Sequence, residues 1–471
     1  MIHLSSETAN LLIEAGKADW VLPRENLVTA KGKGEMQTYW LILKKKDKEN
    51  STLGGRSSHG GTDTSDSRSV ASSREFAEGE AAAAAEKIAR LIDWNVQVLK
   101  LYLKKVIAMR NPNNGRGWLA RAQSISGLQA SRTAGATVLD EVMEVIPLPK
   151  VDSNGYYQDP ETIELGDAAE RQLEDFVTAI AGLYHENPFH SFEHASHVTM
   201  SVSKLLSRIV IPDEETNDFE LNGVTNDPLI HFACTLSALI HDVDHSGVPN
   251  TQLVKENVEI AEAYGGKSVA EQNSVDIAWD LLMEPAYKDL RCHIYTNQEE
   301  LDRFRHLVVN SVMATDIVDK ELGELRKNRW NKAFKVPSVD SAASPANEVY
   351  EQEALNRKAT IVIEHLIQAS DVAHTMQHWH VYRKWNERLF HEQYKAFQEG
   401  RAEKNPAEYW YDGEIGFFDY YIIPLAKKLK ECGVFGVSSD EYLSYAMKNR
   451  EEWSKRGRAV VDEMLGKYCK K

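Results

Sequence analysis

The sequence predicts an all-α protein with a compact multi-helix domain, preceded by a short β-containing segment and a flexible linker. From Glu161 onward, nearly every segment repeats its apolar residues three or four positions apart, as the buried face of an α-helix does. The same spacing runs through residues 88–106, which predicts a long amphipathic helix that ends before Asn111 and Pro112. Residues 28–30 and 36–40 instead alternate apolar and polar side chains around glycines, which is typical of short strands.

The composition of the chain excludes several classes of function. At 471 residues, 42% of them hydrophobic, the chain can bury a sizeable core. A formal net charge of −16 argues against nucleic acid as a partner, because neutralising phosphates needs clustered Lys and Arg. Four scattered cysteines form no C-x-x-C pair, so neither a disulfide framework nor a cysteine zinc site is predicted. Without a secretory signal or an apolar stretch near ~20 residues, we expect a cytoplasmic protein, or the cytosolic face of a membrane if a longer parent is anchored.

Four regions are predicted along the chain. Residues 44–80 are rich in Ser, Gly, Thr and Asp, and such sequence cannot bury enough apolar surface to fold, so they form a low-complexity linker after residues 1–43. Residues 81–135 hold the amphipathic helix and a connecting loop, and residues 136–471 form the main domain. We expect the apolar stripe of the helix to pack on that domain; a helix that forms a homodimer is the alternative.

Residues 229–240 are an apolar run that predicts a buried helix, and this run delivers His241 and Asp242 to the interior. A buried carboxylate is normally bound to a cation or neutralised, and an imidazole beside it makes half of a metal site. The alternative is a helix end at which both side chains form local hydrogen bonds.

Two further segments carry metal-ligand residue types. Residues 184–198 crowd four histidines together, and His190 and His194 lie one helical turn apart, so they share a face. Residues 361–367 predict another largely apolar helix, which Asp371 follows. Three separate segments therefore each present a candidate metal ligand.

A first resemblance lies near the N-terminus. Residues 31–41, Lys-Gly-Lys-Gly-Glu-Met-Gln-Thr-Tyr-Trp-Leu, preceded by Ser-Ser-Glu-Thr-Ala at residues 5–9, resemble the last helix and strands of a class III nucleotidyl (guanylate or adenylate) cyclase domain. The metal-binding aspartates of that domain belong to parts that this chain lacks. The resemblance implies a remnant, from a larger cyclase fusion or from a cyclase that was lost. A β-rich extension without function is the alternative.

A second resemblance covers about residues 165–455. The order His, then His-Asp, then Asp is that of the HD metal-dependent phosphohydrolases. Asn-Pro-Phe-His-x3-His at residues 187–194 and His-Asp-Val-Asp-His-x-Gly-x-x-Asn at residues 241–250 are similar to the catalytic domain of class I 3′,5′-cyclic-nucleotide phosphodiesterases. The resemblance implies a compact all-α domain with the active site in a deep pocket.

The resemblance also implies residue roles. The ligands of a first metal, usually zinc, match His194, His241, Asp242 and Asp371. Asp242 also matches the bridge to a second metal, usually magnesium or manganese. A hydroxide between the metals would attack phosphorus, and His190 matches the general acid that protonates the leaving 3′-oxygen. Positions that orient the metal ligands and their water match His245, Glu271 and Asp316.

The base pocket departs from the family pattern. Phe417 and Leu389 match the side chains that grip the base, but Glu414 stands where the family has a glutamine. An ionised carboxylate only accepts hydrogen bonds, and guanine presents two adjacent donors where adenine presents an acceptor, so we expect cGMP to be favoured over cAMP. Alternatively, Glu414 points to solvent or is protonated and a neighbour reads the base.

Two other functions remain open from the sequence. An HD phosphohydrolase could act on another nucleotide phosphate, or the domain could bind a cyclic nucleotide without cleaving it. His185 and His197 match no catalytic position, and for both we expect a surface or structural place.

Overall fold

The computed structural model describes residues 65–110, 135–148, 156–209, 227–334 and 345–468, together with residue 224 and short stretches between residues 2 and 41. The predicted linker residues 44–64, residues 120–134 of the predicted connecting loop and parts of the cyclase-like segment lie outside the described residues. The chain divides into two compact units, residues 1–75 and 76–471.

The first unit contains short strands. They are β1 (Ile2–Ser5), β2 (Val21–Pro23), β3 (Val28–Ala30), β4 (Gly34–Met36) and β5 (Thr38–Leu41). β5 lies between β1 and β2 in an antiparallel sheet, with Ile2 opposite Leu41, and β3 pairs with β4 as a hairpin. The strands at residues 28–30 and 34–41 lie where the alternation of side chains predicts them.

A long helix, α1 (Ser65–Ala108), precedes the main domain. The helix begins at Ser65 and not at residue 81. Residues 65–80, which the composition assigns to the linker, are therefore helical. The alanine run at residues 81–85 provides a strong nucleus, and each further residue then adds a hydrogen bond at little cost. Leu99, Leu103 and Ile107 of α1 are buried in the core of the main domain, so the apolar stripe packs on that domain as expected.

The main domain is all-α, as the sequence predicts, and its described residues contain no strand. Its helices are α2 (Asp167–Gly182), α3 (Phe192–Leu206), α4 (Pro228–Ile240), α5 (Asn250–Glu256), α6 (Val258–Ala263), α7 (Val269–Met283), α8 (Lys288–Ile294), α9 (Gln298–Met313), α10 (Lys320–Phe334), α11 (Pro345–Asp371), α12 (Trp379–Gln398), α13 (Pro406–Phe417), α14 (Ile423–Glu431) and α15 (Val437–Tyr468). Among the described helices, none has the length and apolar character that a membrane crossing requires.

The ends of helices α3 and α4 position residues of the candidate site. Ser191 caps α3, because its hydroxyl accepts from the backbone N–H of His194. Asp227 caps α4 by accepting from the N–H of Leu229 at 2.9 Å, and Pro228 suits the first turn because it has no N–H to leave unpaired. All residues of α4 except its His231 are buried, so the helix ends with His241 in the interior.

Candidate active site

Four candidate metal ligands meet at the ends of three helices. His194 lies in the first turn of α3, His241 and Asp242 follow α4, and Asp371 ends α11. The Nε2 atom of His194 lies 3.0 Å from Asp371 Oδ1 and 3.6 Å from Asp242 Oδ2. The Nε2 atom of His241 lies 3.1 Å from Asp242 Oδ2 and 3.4 Å from Asp371 Oδ1. We call these four residues the metal cluster.

The polar atoms of the cluster fit a divalent cation. The Nδ1 atom of His241 lies 2.9 Å from the carbonyl oxygen of Ala238, which can only accept, so in the neutral ring the proton is on Nδ1 and Nε2 offers a lone pair. His241 Nε2 and Asp242 Oδ2 are buried, and neither makes a well-formed hydrogen bond to a described residue. Two buried acceptors 3.1 Å apart repel each other unless a positive charge lies beside them.

The electrostatics show the same need for positive charge beside the two carboxylates, which a proton on His241 or a bound cation can supply. Burial by itself would lower the pKa of His241, but attraction to Asp242 and Asp371 raises that pKa well above its ordinary value. Burial would raise the pKa of Asp371, but contacts with His194 foremost and with His241 hold it far below its usual range. Paired imidazole and carboxylate ligands of this kind suit zinc, and carboxylate oxygens also suit magnesium or manganese.

His190 is held by a carboxylate that sequence reasoning missed. Glu392 of α12 is 3% exposed, and its Oε1 lies 2.5 Å from His190 Nδ1. Its Oε2 accepts from the backbone N–H groups of Phe189 and His190, each at 2.9 Å. Burial would lower the pKa of His190, but nearby carboxylates, Glu392 foremost, raise it to about 9. His190 therefore carries a proton near neutral pH.

His245 lies against His190. Their rings stack with centroids 3.8 Å apart. Burial and the charge of His190 lower the pKa of His245 to about 4, so its ring is neutral near pH 7. The backbone N–H of Gly247 donates to His245 Nδ1 at 3.1 Å, which places the ring proton on Nε2. His190 also lies edge-on to His194 of the metal cluster, with ring centroids 6.1 Å apart.

Glu271 and Asp316, which we expect to orient the metal ligands and their water, line a cavity that His190 also lines. Glu271 accepts from the side-chain amide of Asn250 at 2.9 Å. Burial and repulsion from Asp316 raise the pKa of Glu271 to about 7. One oxygen of Asp316 accepts from the N–H groups of Val318 and Asp319 and so holds the turn before α10.

The cavity has a volume of about 810 Å³, which suits a nucleotide-sized ligand. His190, His245 and Glu271 line one part of it, and Leu389 and Phe417 line another. The Phe417 ring stacks on Tyr421 at 5.5 Å, one π-helical turn later. Pro424 lacks an N–H and so cannot continue the regular α-helical bonding, which is a physical reason for the π turn at Phe418–Ile422.

Glu414 also lines the cavity, and it is 8% exposed, so it does not point to solvent. Its Oε2 accepts from the hydroxyl of Tyr382 at 2.6 Å. Trp410 donates to Asn386 Oδ1 at 3.2 Å, which turns the amide N–H₂ of Asn386 toward Tyr382, at 3.5 Å. Burial raises the pKa of Glu414 to about 7, although hydrogen bonds from Tyr382 and Asn386 oppose this. Near pH 7, the protonated form that the sequence left open therefore coexists with the ionised form.

The remaining histidines of the segment lie away from the cluster. His185 is half exposed and contacts Asp244 at 2.8 Å. His197 is also partly exposed and packs edge-on against Trp385, with centroids 5.1 Å apart. Neither joins a described group of side chains that could bind a metal.

Comparison with known proteins shows which family the chain belongs to. Residues 189–434 match the sequence profile of the 3′5′-cyclic nucleotide phosphodiesterase family, which is more than half of the chain. The chain belongs to this family. The matched segment contains the metal cluster, His190, Glu392 and the Glu414 pocket. The family implies divalent metals, in agreement with the chemistry of the cluster.

The individual relatives that match the chain have low sequence identity to it. A probable 3′,5′-cyclic-AMP phosphodiesterase (pde-4) of Caenorhabditis elegans is 27% identical over 51% of this chain and 34% of the relative. A mouse dual specificity calcium/calmodulin-dependent 3′,5′-cyclic nucleotide phosphodiesterase 1C is 26% identical over 54% of this chain and 32% of the relative. The chain therefore spans about a third of the length of the curated relatives it matches.

Among solved structures, the chain is similar to the phosphodiesterase domain of the Salpingoeca rosetta rhodopsin phosphodiesterase. The TM-score is 0.48 at 20% identity, over 63% of this chain and 84% of the other.

Proposed function

We propose that this chain hydrolyses a 3′,5′-cyclic nucleotide to the nucleoside 5′-monophosphate and thereby ends a cyclic-nucleotide signal. The observation that carries the proposal is the placement of His190, held by Glu392, beside both a nucleotide-sized cavity and the metal cluster. Hydrolysis of a phosphodiester needs a proton donor for the leaving alkoxide and charge compensation at the phosphoryl oxygens. His190 would supply the proton, and cations held by the metal cluster would supply the positive charge.

The metal cluster would hold zinc at a first position and magnesium or manganese at a second, with Asp242 shared between them. Bound there, the cations would polarise the phosphodiester and lower the pKa of the attacking water. His190 donates the proton that the 3′-oxygen takes up as its bond to phosphorus breaks. Because Glu392 occupies Nδ1, the proton that leaves is the one on Nε2. His245, Glu271 and Asp316 orient the cluster and its water.

We further propose that cGMP is favoured over cAMP. Tyr382 donates to one oxygen of Glu414, and the carboxyl group, which lines the cavity, would accept from the base through the other. Guanine can donate to that oxygen from N1–H and from its 2-amino group. Adenine presents a lone pair at N1, and an unmatched buried polar contact of this kind costs about 1–3 kcal/mol. Phe417 and Leu389 would hold the base plane between them.

Product analysis tests the function. The purified chain, incubated with cGMP or cAMP, is expected to form the 5′-monophosphate, and a chelator is expected to abolish this. His190→Ala should lose activity, whereas His197→Ala should retain it because His197 lies away from the cluster. Binding of cyclic nucleotide without product formation would instead support a regulatory module.

We also propose that residues 1–43 are the remnant of a nucleotidyl cyclase domain and that the chain acts in the cytoplasm, as a fusion with or an associate of a cyclase. The short antiparallel strands at residues 28–41 support a cyclase-like origin. Sequencing of the full-length transcript tests it, because the catalytic aspartates of a cyclase would be encoded upstream. Sedimentation of the purified chain tests whether it forms a homodimer.

A further inference from the structure

We propose that Asn187 is a positioning residue that fixes the backbone of His190 to that of His245 and so holds the two imidazole rings in their stack. The inference rests on the proposed hydrolysis only in its kinetic part, since the ring stack itself can be observed directly.

One amide group bridges the two histidines. Asn187 Nδ2 donates to the carbonyl oxygen of His190 at 3.0 Å and to that of His245 at 2.6 Å. A side-chain amide has two N–H groups, so it satisfies both carbonyls at once. The two histidines come from different segments, before α3 and after α4, and their rings lie 3.8 Å apart. The bridge thus joins the main chains at the point where the side chains stack.

Asn187 itself is held in place. Its own N–H donates to the carbonyl oxygen of His185 at 2.8 Å, and Pro188 after it restricts its backbone to extended conformations. Gly247 provides the room for the amide, because a Cβ at position 247 would lie 3.1 Å from Asn187 Oδ1. The φ of Gly247 is +77°, a conformation that favours glycine.

The same glycine also acts on His245. Its N–H donates to His245 Nδ1, so Asn187 holds the carbonyl group of His245 while Gly247 holds its ring. For His190, Glu392 fixes the rotation of the ring through Nδ1 and Asn187 fixes the main chain that carries it. Asn187 lines a separate groove and not the candidate active-site cavity, so it acts through His190 and not on the nucleotide.

Kinetics provide the first test. Asn187→Ala is expected to lower kcat by about tenfold to a hundredfold, because a shift of about 1 Å in a catalytic group has effects of this size, while KM changes by less than about threefold. Asn187→Asp keeps the size of the side chain but removes the two N–H donors, so it should also lower kcat. A kcat unchanged in either folded variant would overturn the proposal.

Asn310→Ala is the matched control. Asn310 is buried and, like Asn187, makes two hydrogen bonds with backbone groups, at 3.1 Å and 2.9 Å to Met143, and it does not line the cavity. This variant is expected to lower the melting temperature and leave both kinetic constants unchanged. Equal losses of kcat in the Asn310 and Asn187 variants would show that general loosening, and not His190 placement, causes the effect.

A crystal structure of Asn187→Asp or Asn187→Ala provides the second test. We expect the His190 and His245 rings to separate from their 3.8 Å stack. A retained stack would overturn the positioning role even if kcat fell. If the unaltered chain forms no 5′-monophosphate, the proposed function fails, but the ring separation still decides whether Asn187 positions His190.

Discussion

Glu392 and His190 form a buried ion pair, with Oε1 of the carboxylate 2.5 Å from Nδ1 of the ring. The pKa of Glu392 falls to about 2, because attraction to His190 outweighs the effect of burial. The carboxylate is thus ionised throughout the physiological range and keeps His190 charged.

This pair gives the first prediction. Glu392→Gln removes the negative charge, so the pKa of His190 should fall from about 9. The alkaline limb of the kcat profile should then move to lower pH, and kcat near neutrality should drop by about a hundredfold, the lower end of what general acid catalysis contributes. Glu387→Gln on the same helix is the control, because Glu387 pairs with Lys467 outside the cavity. An unshifted alkaline limb would contradict the assignment of His190 as the acid.

The second prediction concerns nucleotide selectivity. With a pKa of about 7, the ionised fraction of Glu414 rises from about one tenth at pH 6 to about nine tenths at pH 8. Only the ionised form lacks a donor for adenine N1, so the ratio of kcat/KM for cGMP to that for cAMP should rise with pH. At full ionisation the preference should reach about 5-fold to 150-fold.

His190, which acts on the leaving oxygen, and Glu271, which orients the cluster and its water, affect both substrates alike and cancel in this ratio. Glu414→Gln should give a ratio that does not depend on pH, because an amide does not titrate in this range. A wild-type ratio that stays flat or falls between pH 6 and pH 8 would refute base reading by Glu414.

The sequence predicted the metal cluster because His241, Asp242 and Asp371 follow or end apolar helical runs, and because His194 lies in a histidine-rich segment. Helix periodicity shows where such a run ends, and residue chemistry then limits what a buried His or Asp can do. The resemblance to a known family added the order of the segments. Convergence of His194, His241, Asp242 and Asp371 is therefore the part of the site that sequence reasoning describes best.

Glu392 and Tyr382 were not predicted, for a physical reason. Both lie inside the amphipathic helix α12, where periodicity shows only which face is buried. Glu392 falls on the buried face with Leu389 three residues before it, but its partner His190 is 202 positions away in sequence. Nothing local distinguishes this glutamate from one that is solvated.

The third prediction concerns metal content. Dialysis against a chelator should remove metal from the cluster, lower the melting temperature and abolish product formation, because two buried histidines and two half-buried carboxylates would remain together without a compensating cation. Asp371→Asn should lower the metal bound per chain, measured by atomic emission. Asp244→Asn is a matched control, since Asp244 is partly exposed and bonds to His185 and Asn273 instead. Equal metal loss in both variants would argue against the cluster as the binding site.

The last prediction concerns the docking of α1 on the catalytic domain. Asn95 of α1 is fully buried, and its Nδ2 donates to Leu91 O at 2.8 Å and to Ser196 Oγ of α3 at 2.9 Å. Asn95→Ala removes both bonds and should lower the free energy of unfolding by about 1–2 kcal/mol. The cost stays at this level because Asn95 Oδ1 has no hydrogen-bond partner among the described residues, so its removal offsets part of the loss.

Urea denaturation of the whole chain measures this effect, with Gln97→Ala as the control, since Gln97 is exposed on the same helix. The Gln97 variant should unfold at the same urea concentration as the unaltered protein. If Asn95→Ala also leaves the transition unchanged, the hydrogen bond between Asn95 and Ser196 does not contribute to stability. The docking of α1 would then depend on its apolar stripe, through Leu99, Leu103 and Ile107, without a polar contribution.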